Sequence, residues 1–187
     1  MENLQSLIDR TDSKIKYALV HLNELKTYQN RGSGDDFERS HHESYLFHLY
    51  GVRDAFLQEI NLYYDINLSP EKVTMSSLND QLKKGHKVCP ELEKINKLEG
   101  NQNSWLGIIK EMRHHSTHRY HINRHVYAGG QDDGRVELVN PRSREKSNQD
   151  VLEDFEEWQQ EKEKLIKGLR ETATKHYGAK KLTTKKM

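Results

Sequence analysis

Cysteine is almost missing from this chain: Cys89 stands alone among 187 residues. One thiol excludes an intrachain disulfide framework, the usual staple of small secreted domains, so an intracellular, cytoplasmic protein is expected. Net charge is nearly missing too. Thirty Lys and Arg face 29 Asp and Glu, leaving +1. That removes the simplest argument for nucleic-acid binding and requires any basic surface to be local. Apolar residues are scarce at 33%, against 32% charged. No window approaches the roughly 20-residue apolar run of a membrane span. Met1-Glu2-Asn3 is not followed by the basic-then-apolar pattern of a secretory leader. No membrane partner is expected.

What apolar residues there are recur with a period. Because they are ordered rather than diluted, and the charges cancel, disorder is excluded for all but the ends. Residues 2–29 read as a helix with Leu4, Ile8, Ile15, Leu19 and Leu22 on one side, stopped by Asn30-Arg31-Gly32-Ser33-Gly34. From Asp36 to Ile66, the residues Tyr45, Leu49, Val52, Phe56, Ile60 and Tyr63 recur at three- and four-residue steps, the pattern of a central core helix. Ser69-Pro70-Glu71 reads as a helix start, with Ser as N-cap and Pro at the first helical position, for a segment ending near Lys84-Gly85. Pro90 to Leu98 is a further short helix closed by Gly100, and Asn103 is expected to cap another, from Ser104 to about Ile122. A β-hairpin or extended loop is expected near 126–139, around Gly129-Gly130 and Gly134, followed by a polar connector from Pro141 to Ser147. A last helix covers 149–174, with Val151, Phe155, Trp158, Leu165, Ile166 and Leu169 inward. The expectation is an all-α fold: one helical-bundle domain over 1–178, four long helices plus one or two short ones, with the hairpin insertion. Residues 179–187, carrying Lys180, Lys181, Lys185 and Lys186, form a basic tail expected to be disordered.

The chemistry concentrates in Arg113-His114-His115-Ser116-Thr117-His118-Arg119-Tyr120-His121-Ile122-Asn123-Arg124-His125, where five of thirteen residues are histidine and three are arginine. The apolar stripe of this helix is Trp105, Ile108, Ile109 and Met112. His114, His118, His121 and His125 follow a separate line. At about 100° per residue, His114 points roughly 200° away from Met112, toward solvent or a partner. Three readings compete. A solvated helix end tolerates cationic side chains. A metal site would use the i, i+4 pairs His114/His118 and His121/His125, with His41, His42 or His48 from the central helix as further ligand; DinB-like four-helix bundles are broadly similar. The third reading is RNA cleavage. It needs a base for the 2′-hydroxyl proton, a fixed cation for the charged phosphorane and an acid for the leaving oxygen. Histidine suits the first and last roles and arginine the middle one, with no metal or other cofactor.

Arg113-His114-His115-Ser116-Thr117-His118 resembles the R-φ-x-x-x-H signature of HEPN domains (higher eukaryotes and prokaryotes nucleotide-binding), with His114 at the φ position. The likeness spans residues 1–175 in architecture and six residues in motif. It implies an all-α bundle and a metal-independent endoribonuclease, of the kind found in toxin–antitoxin and antiviral-defence systems, or a non-catalytic RNA- or protein-binding module. It also implies a homodimer whose two motifs face each other, with single-stranded RNA as substrate and an antitoxin protein as a further partner. The catalytic candidates are Arg113, His118 and His114; Arg119, Tyr120 and Arg124 are the substrate-binding candidates. Residues five apart on an ideal helix diverge by about 140°, so Arg113 and His118 need a kink or a second protomer to act together. Glu43 and Asp54 on the central helix are the carboxylates that could orient the site.

Overall fold

The computed structural model describes residues 3–29, 35–118, 122–131 and 134–177. Three long helices frame it: α1 (Leu4–Gln29), α2 (Asp35–Tyr63) and α6 (Val151–Tyr177). Between α2 and α6 come a 3-10 turn (Pro70–Lys72), the short helices α3 (Met75–Lys84) and α4 (Pro90–Gly100), helix α5 (Trp105–His118), and a hairpin of β1 (Arg124–Val126) and β2 (Val136–Leu138). This is the expected all-α bundle with a small β insertion.

The apolar stripe of α2 is the core. Tyr45, Leu49, Val52, Phe56, Ile60 and Tyr63 are all buried, as are Val151, Phe155, Trp158, Leu165, Ile166 and Leu169 of α6 and Ile109 and Met112 of α5. α1 runs antiparallel to α2, since His21 meets His41 and Tyr17 meets His48. α6 runs parallel to α2, because Tyr45 donates to the Phe155 carbonyl (2.6 Å) while Arg170 reaches Glu59 further along both helices. That guanidinium also holds Asp12 at 2.8 Å, tying α1, α2 and α6 through a carboxylate with no solvent exposure. Removing Arg170 is costly because Glu59, which has no exposure, would be left charged and dry, whereas Asp12 is 42% exposed and keeps its water.

The element boundaries depart from expectation where local hydrogen bonding intervenes. Ser69 leads into a separate 3-10 turn, Pro70–Lys72, and Val73 ends it with an extended conformation (φ −77°, ψ 103°). Ser69 gives its hydroxyl to the Glu71 side chain rather than capping a helix. The α-helix begins later, capped by Thr74, whose hydroxyl accepts from Ser77 N–H (3.1 Å) while the Ser77 hydroxyl accepts from Thr74 N–H (2.8 Å). α5 is capped by Ser104, not Asn103: the Ser104 hydroxyl accepts from Gly107 N–H at 3.1 Å. The same hydroxyl donates toward the Leu98 carbonyl at 2.5 Å, locking the α4–α5 corner.

The hairpin is antiparallel, with Arg124 opposite Leu138, His125 opposite Glu137 and Val126 opposite Val136. Its turn runs through Gly129 and Gly130 at φ +82° and +84°, a region that β-carbons resist. Strand β1 therefore starts two residues earlier than the sequence pattern places it. Residues 178–187, which include the expected tail 179–187, lie outside the described residues.

Candidate functional site

Arg113 leaves the C-terminal half of α5 and lies across α2. Its guanidinium stacks on the Tyr50 ring (4.6 Å to the centroid), approaches Phe47 (5.5 Å), and reaches Asp54 with Nη1 at 3.4 Å from Oδ2. Aromatic stacking suits a planar, weakly hydrated cation and holds it without neutralising it. Tyr50, Asp54 and Phe47 sit three to seven residues apart on α2, so one helical face delivers all three.

Asp54 is itself oriented. Arg53 Nη1 donates to its Oδ1 at 2.7 Å. The remaining donors of Arg53 form a fork on Glu99 of α4, with Nε at 2.5 Å from Oε1 and Nη2 at 3.1 Å from Oε2. Tyr50 donates to the same Glu99 Oε1 at 3.3 Å, and Lys110 Nζ stands 3.9 Å from Oε2. Burial first, outweighing the neighbouring Arg53, pushes the Tyr50 phenol up to about 12, so it remains a proton donor near neutral pH. Hydrogen bonds to Glu99 raise Arg53 against the opposing effect of burial. Arg53, Lys110 and Arg113 meet Asp54 and Glu99 at this corner, which concentrates charge on a chain with little net charge.

The sequence candidates divide. Arg113 is partly exposed and anchored; His114 beside it is exposed. His118 closes the described part of α5, and its backbone alone is described. Arg119, Tyr120 and His121 lie outside the described residues. Arg124 is not on a helix: it stands on β1 with its side chain only 4% exposed, 3.8 Å from Glu38 and 3.3 Å from His42 Nδ1. A guanidinium only donates, so His42 accepts through Nδ1. Arg124 therefore has a structural position rather than the solvent-facing one expected of a phosphate contact. His125 is also on β1, with its ring edge-on to Tyr127 at 4.7 Å, so His121 and His125 are not an i, i+4 pair on one helix. Among the described residues, no group of three or more His, Cys, Asp or Glu is placed to hold a metal ion.

Of the two carboxylates singled out in the sequence, Asp54 is the one beside Arg113. Arg53, Glu99 and the rings of Tyr50 and Phe47 were missed. Tyr50 lies off the core stripe, about 140° round the helix from Tyr45, and only tertiary packing sets its ring against Arg113. Cys89 is buried; burial first pushes its thiol up to about 12, which makes it an unreactive group.

No family model, no curated protein and no solved structure matches the chain. No helix among the described residues is long and apolar enough to cross a membrane.

Proposed function

We propose that the chain is a metal-independent endoribonuclease of the HEPN type, cleaving single-stranded RNA by attack of the 2′-hydroxyl on the adjacent phosphodiester. The observation that carries this reading is Arg113. The arginine of the R-φ-x-x-x-H pattern is held by Tyr50 and Asp54 with its charge turned toward a half-exposed corner, beside an exposed His114. Such a pre-oriented guanidinium can stabilise a charged phosphorane without reorganising at the moment of reaction. His118 takes the proton-transfer role. His114 positions the phosphate, and Arg119 and Tyr120 extend the contact to the strand. The functional unit is a homodimer that brings two motifs into one cleft, and the biological setting is that of a toxin or antiviral-defence component with an antitoxin protein as partner.

Product ends test the reaction. Cleavage should leave a 2′,3′-cyclic phosphate, be indifferent to EDTA, and leave DNA intact because DNA lacks the nucleophile. His118→Ala should abolish it, and Arg113→Lys should fail as well, since an ammonium cannot reproduce the planar fork. Cleavage by His118→Ala at the wild-type rate, or loss of activity in EDTA, would sink the assignment.

A further inference from the structure

A row of rings crosses the α1–α2 face and ends beside Arg113. Phe37 packs on His41 at 4.2 Å between centroids, His41 on His21 at 5.1 Å, His21 lies flat on His48 at 5.4 Å, and His48 meets Phe47 edge-on at 5.5 Å. Tyr17 joins from α1, at 5.3 Å from His48. Two of these rings are half-exposed, Tyr17 at 50% and Phe47 at 46%. A hydrophobic core does not account for them. The imidazoles of His21 and His48 stay mostly neutral near pH 7. Burial first, then His41, holds His21 below its ordinary value against the opposing pull of Glu24; burial, then Lys14 and His21, does the same for His48. They pack as aromatic faces. His21 and His41 face each other through their Nδ1 atoms at 3.1 Å, one donating and the other accepting.

Charge brackets the exposed end of the row. Lys14 Nζ from α1 and the Arg113 guanidinium from α5 each stand 5.5 Å from the centroid of Phe47. An accessible ring flanked by two cations is the pairing a nucleotide requires, with a base on the ring and its phosphates on the charges. We propose that the α1–α2 face is the binding track for a single strand of RNA, with Phe47 and Tyr17 as base-stacking platforms and Lys14 and Arg113 as the phosphate contacts. The proposal rests on the ribonuclease reading for its substrate and deepens it by naming where the strand lies. Charge favours this occupant over a second copy of the chain on these rings: a two-fold contact through Phe47 and Tyr17 would set Lys14, which lies outside the motif, against the same cation of the partner.

The test is binding of a fluorescently labelled, mixed-sequence oligonucleotide of 2′-O-methyl ribose, which 2′-hydroxyl attack cannot cleave, to the full chain. Phe47→Ala and Phe47→Leu should each weaken binding by about tenfold or more, the range of one lost base stack, while Phe47→Trp retains it. Tyr17→Ala, which leaves Phe47 and its two cations untouched, should also weaken binding. Phe47 and Tyr17 are surface rings, so circular dichroism should show all four variants folded. Unchanged affinity in Phe47→Ala and Tyr17→Ala overturns the proposal. So does an oligonucleotide that does not bind the wild type, or a dimer that these substitutions dissociate while affinity stays constant. If binding behaves as stated but unmodified RNA is never cut, the ribonuclease reading falls and the track remains.

Discussion

Lys162 is the residue least expected from its surroundings. Its side chain is 1% exposed in the core, and its ammonium donates to Gln159 Oε1 at 2.5 Å. Burial pulls it down to about 7, with Glu163 opposing. Because the unfolded chain keeps that proton up to about pH 10.4, the unfolded state binds more protons between about 7 and 10. Stability should therefore rise with pH across that window and be insensitive to this group below it. Lys162→Met, close in shape, should raise stability by a few kcal/mol below pH 7 and by progressively less toward pH 10. Urea melts at several pH values measure this; a variant less stable than wild type at pH 6 would show that the amine is better satisfied than its surroundings indicate. Asp54 is a different case at the same scale. It is 46% exposed, so its pair with Arg113 contributes little to stability, less than about 1 kcal/mol. Its predicted importance is positional. Asp54→Asn should leave the melting curve nearly unchanged while lowering kcat for RNA by about tenfold or more, with KM much less affected. Equal losses of stability and activity would mark Asp54 as structural only.

Helix α5 shows how an element is set by its entry. Gly107 follows the Ser104 cap, and a β-carbon there would lie 2.1 Å from the Asn101 carbonyl oxygen. Helix propensity alone predicts that Gly→Ala stabilises by about 1 kcal/mol. The close approach predicts the reverse, a loss of about 1–3 kcal/mol as the α4–α5 corner is forced open. Thermal denaturation of Gly107→Ala decides by its sign. Since Arg113 is carried less than two turns further along α5, the same substitution should weaken its approach to Asp54 and reduce cleavage. The α2 stripe is the second element-scale case: Phe56 has no exposure at all, and Phe56→Ala should cost about 3–5 kcal/mol. A loss within measurement error in a chemical melt would contradict its place at the bundle centre.

For the whole molecule the open quantity is copy number. His114 is exposed, off the core stripe of α5, and residues five apart on an ideal helix, the spacing of the motif's Arg and His, diverge by about 140°. That spacing favours an isologous pair, which would bring two copies of each group into one cleft. Light scattering at tens of micromolar should give twice the chain mass, as expected (roughly) for a standard interface of micromolar affinity or better. A monomer at that concentration would remove the cleft from the mechanism.

Periodicity placed the stripes of α2 and α6 correctly: Tyr45 to Tyr63 on α2 and Val151 to Leu169 on α6 are inside where their spacing places them. On α1 the buried face is Leu4, Leu7, Ala18, Leu22 and Leu25, with Ile8 and Ile15 only partly buried, because the apolar pattern there fits two adjacent faces. The hairpin was legible from its glycines. The caps were not: Ser69 and Thr74, or Asn103 and Ser104, are chemically equivalent choices until the backbone ahead of them picks one. Arg113, His114 and Asp54 could be singled out by residue type. That Arg124 turns inward to Glu38 and His42, and that His125 belongs to a strand, followed from a change of period beyond Ile122 that a histidine count hides. Only the tertiary structure could join Arg53, Glu99, Tyr50 and Phe47 to Arg113, or align rings of α1 with rings of α2. Those contacts span tens of residues along the chain, and packing chooses among the many partners that sequence leaves equally available.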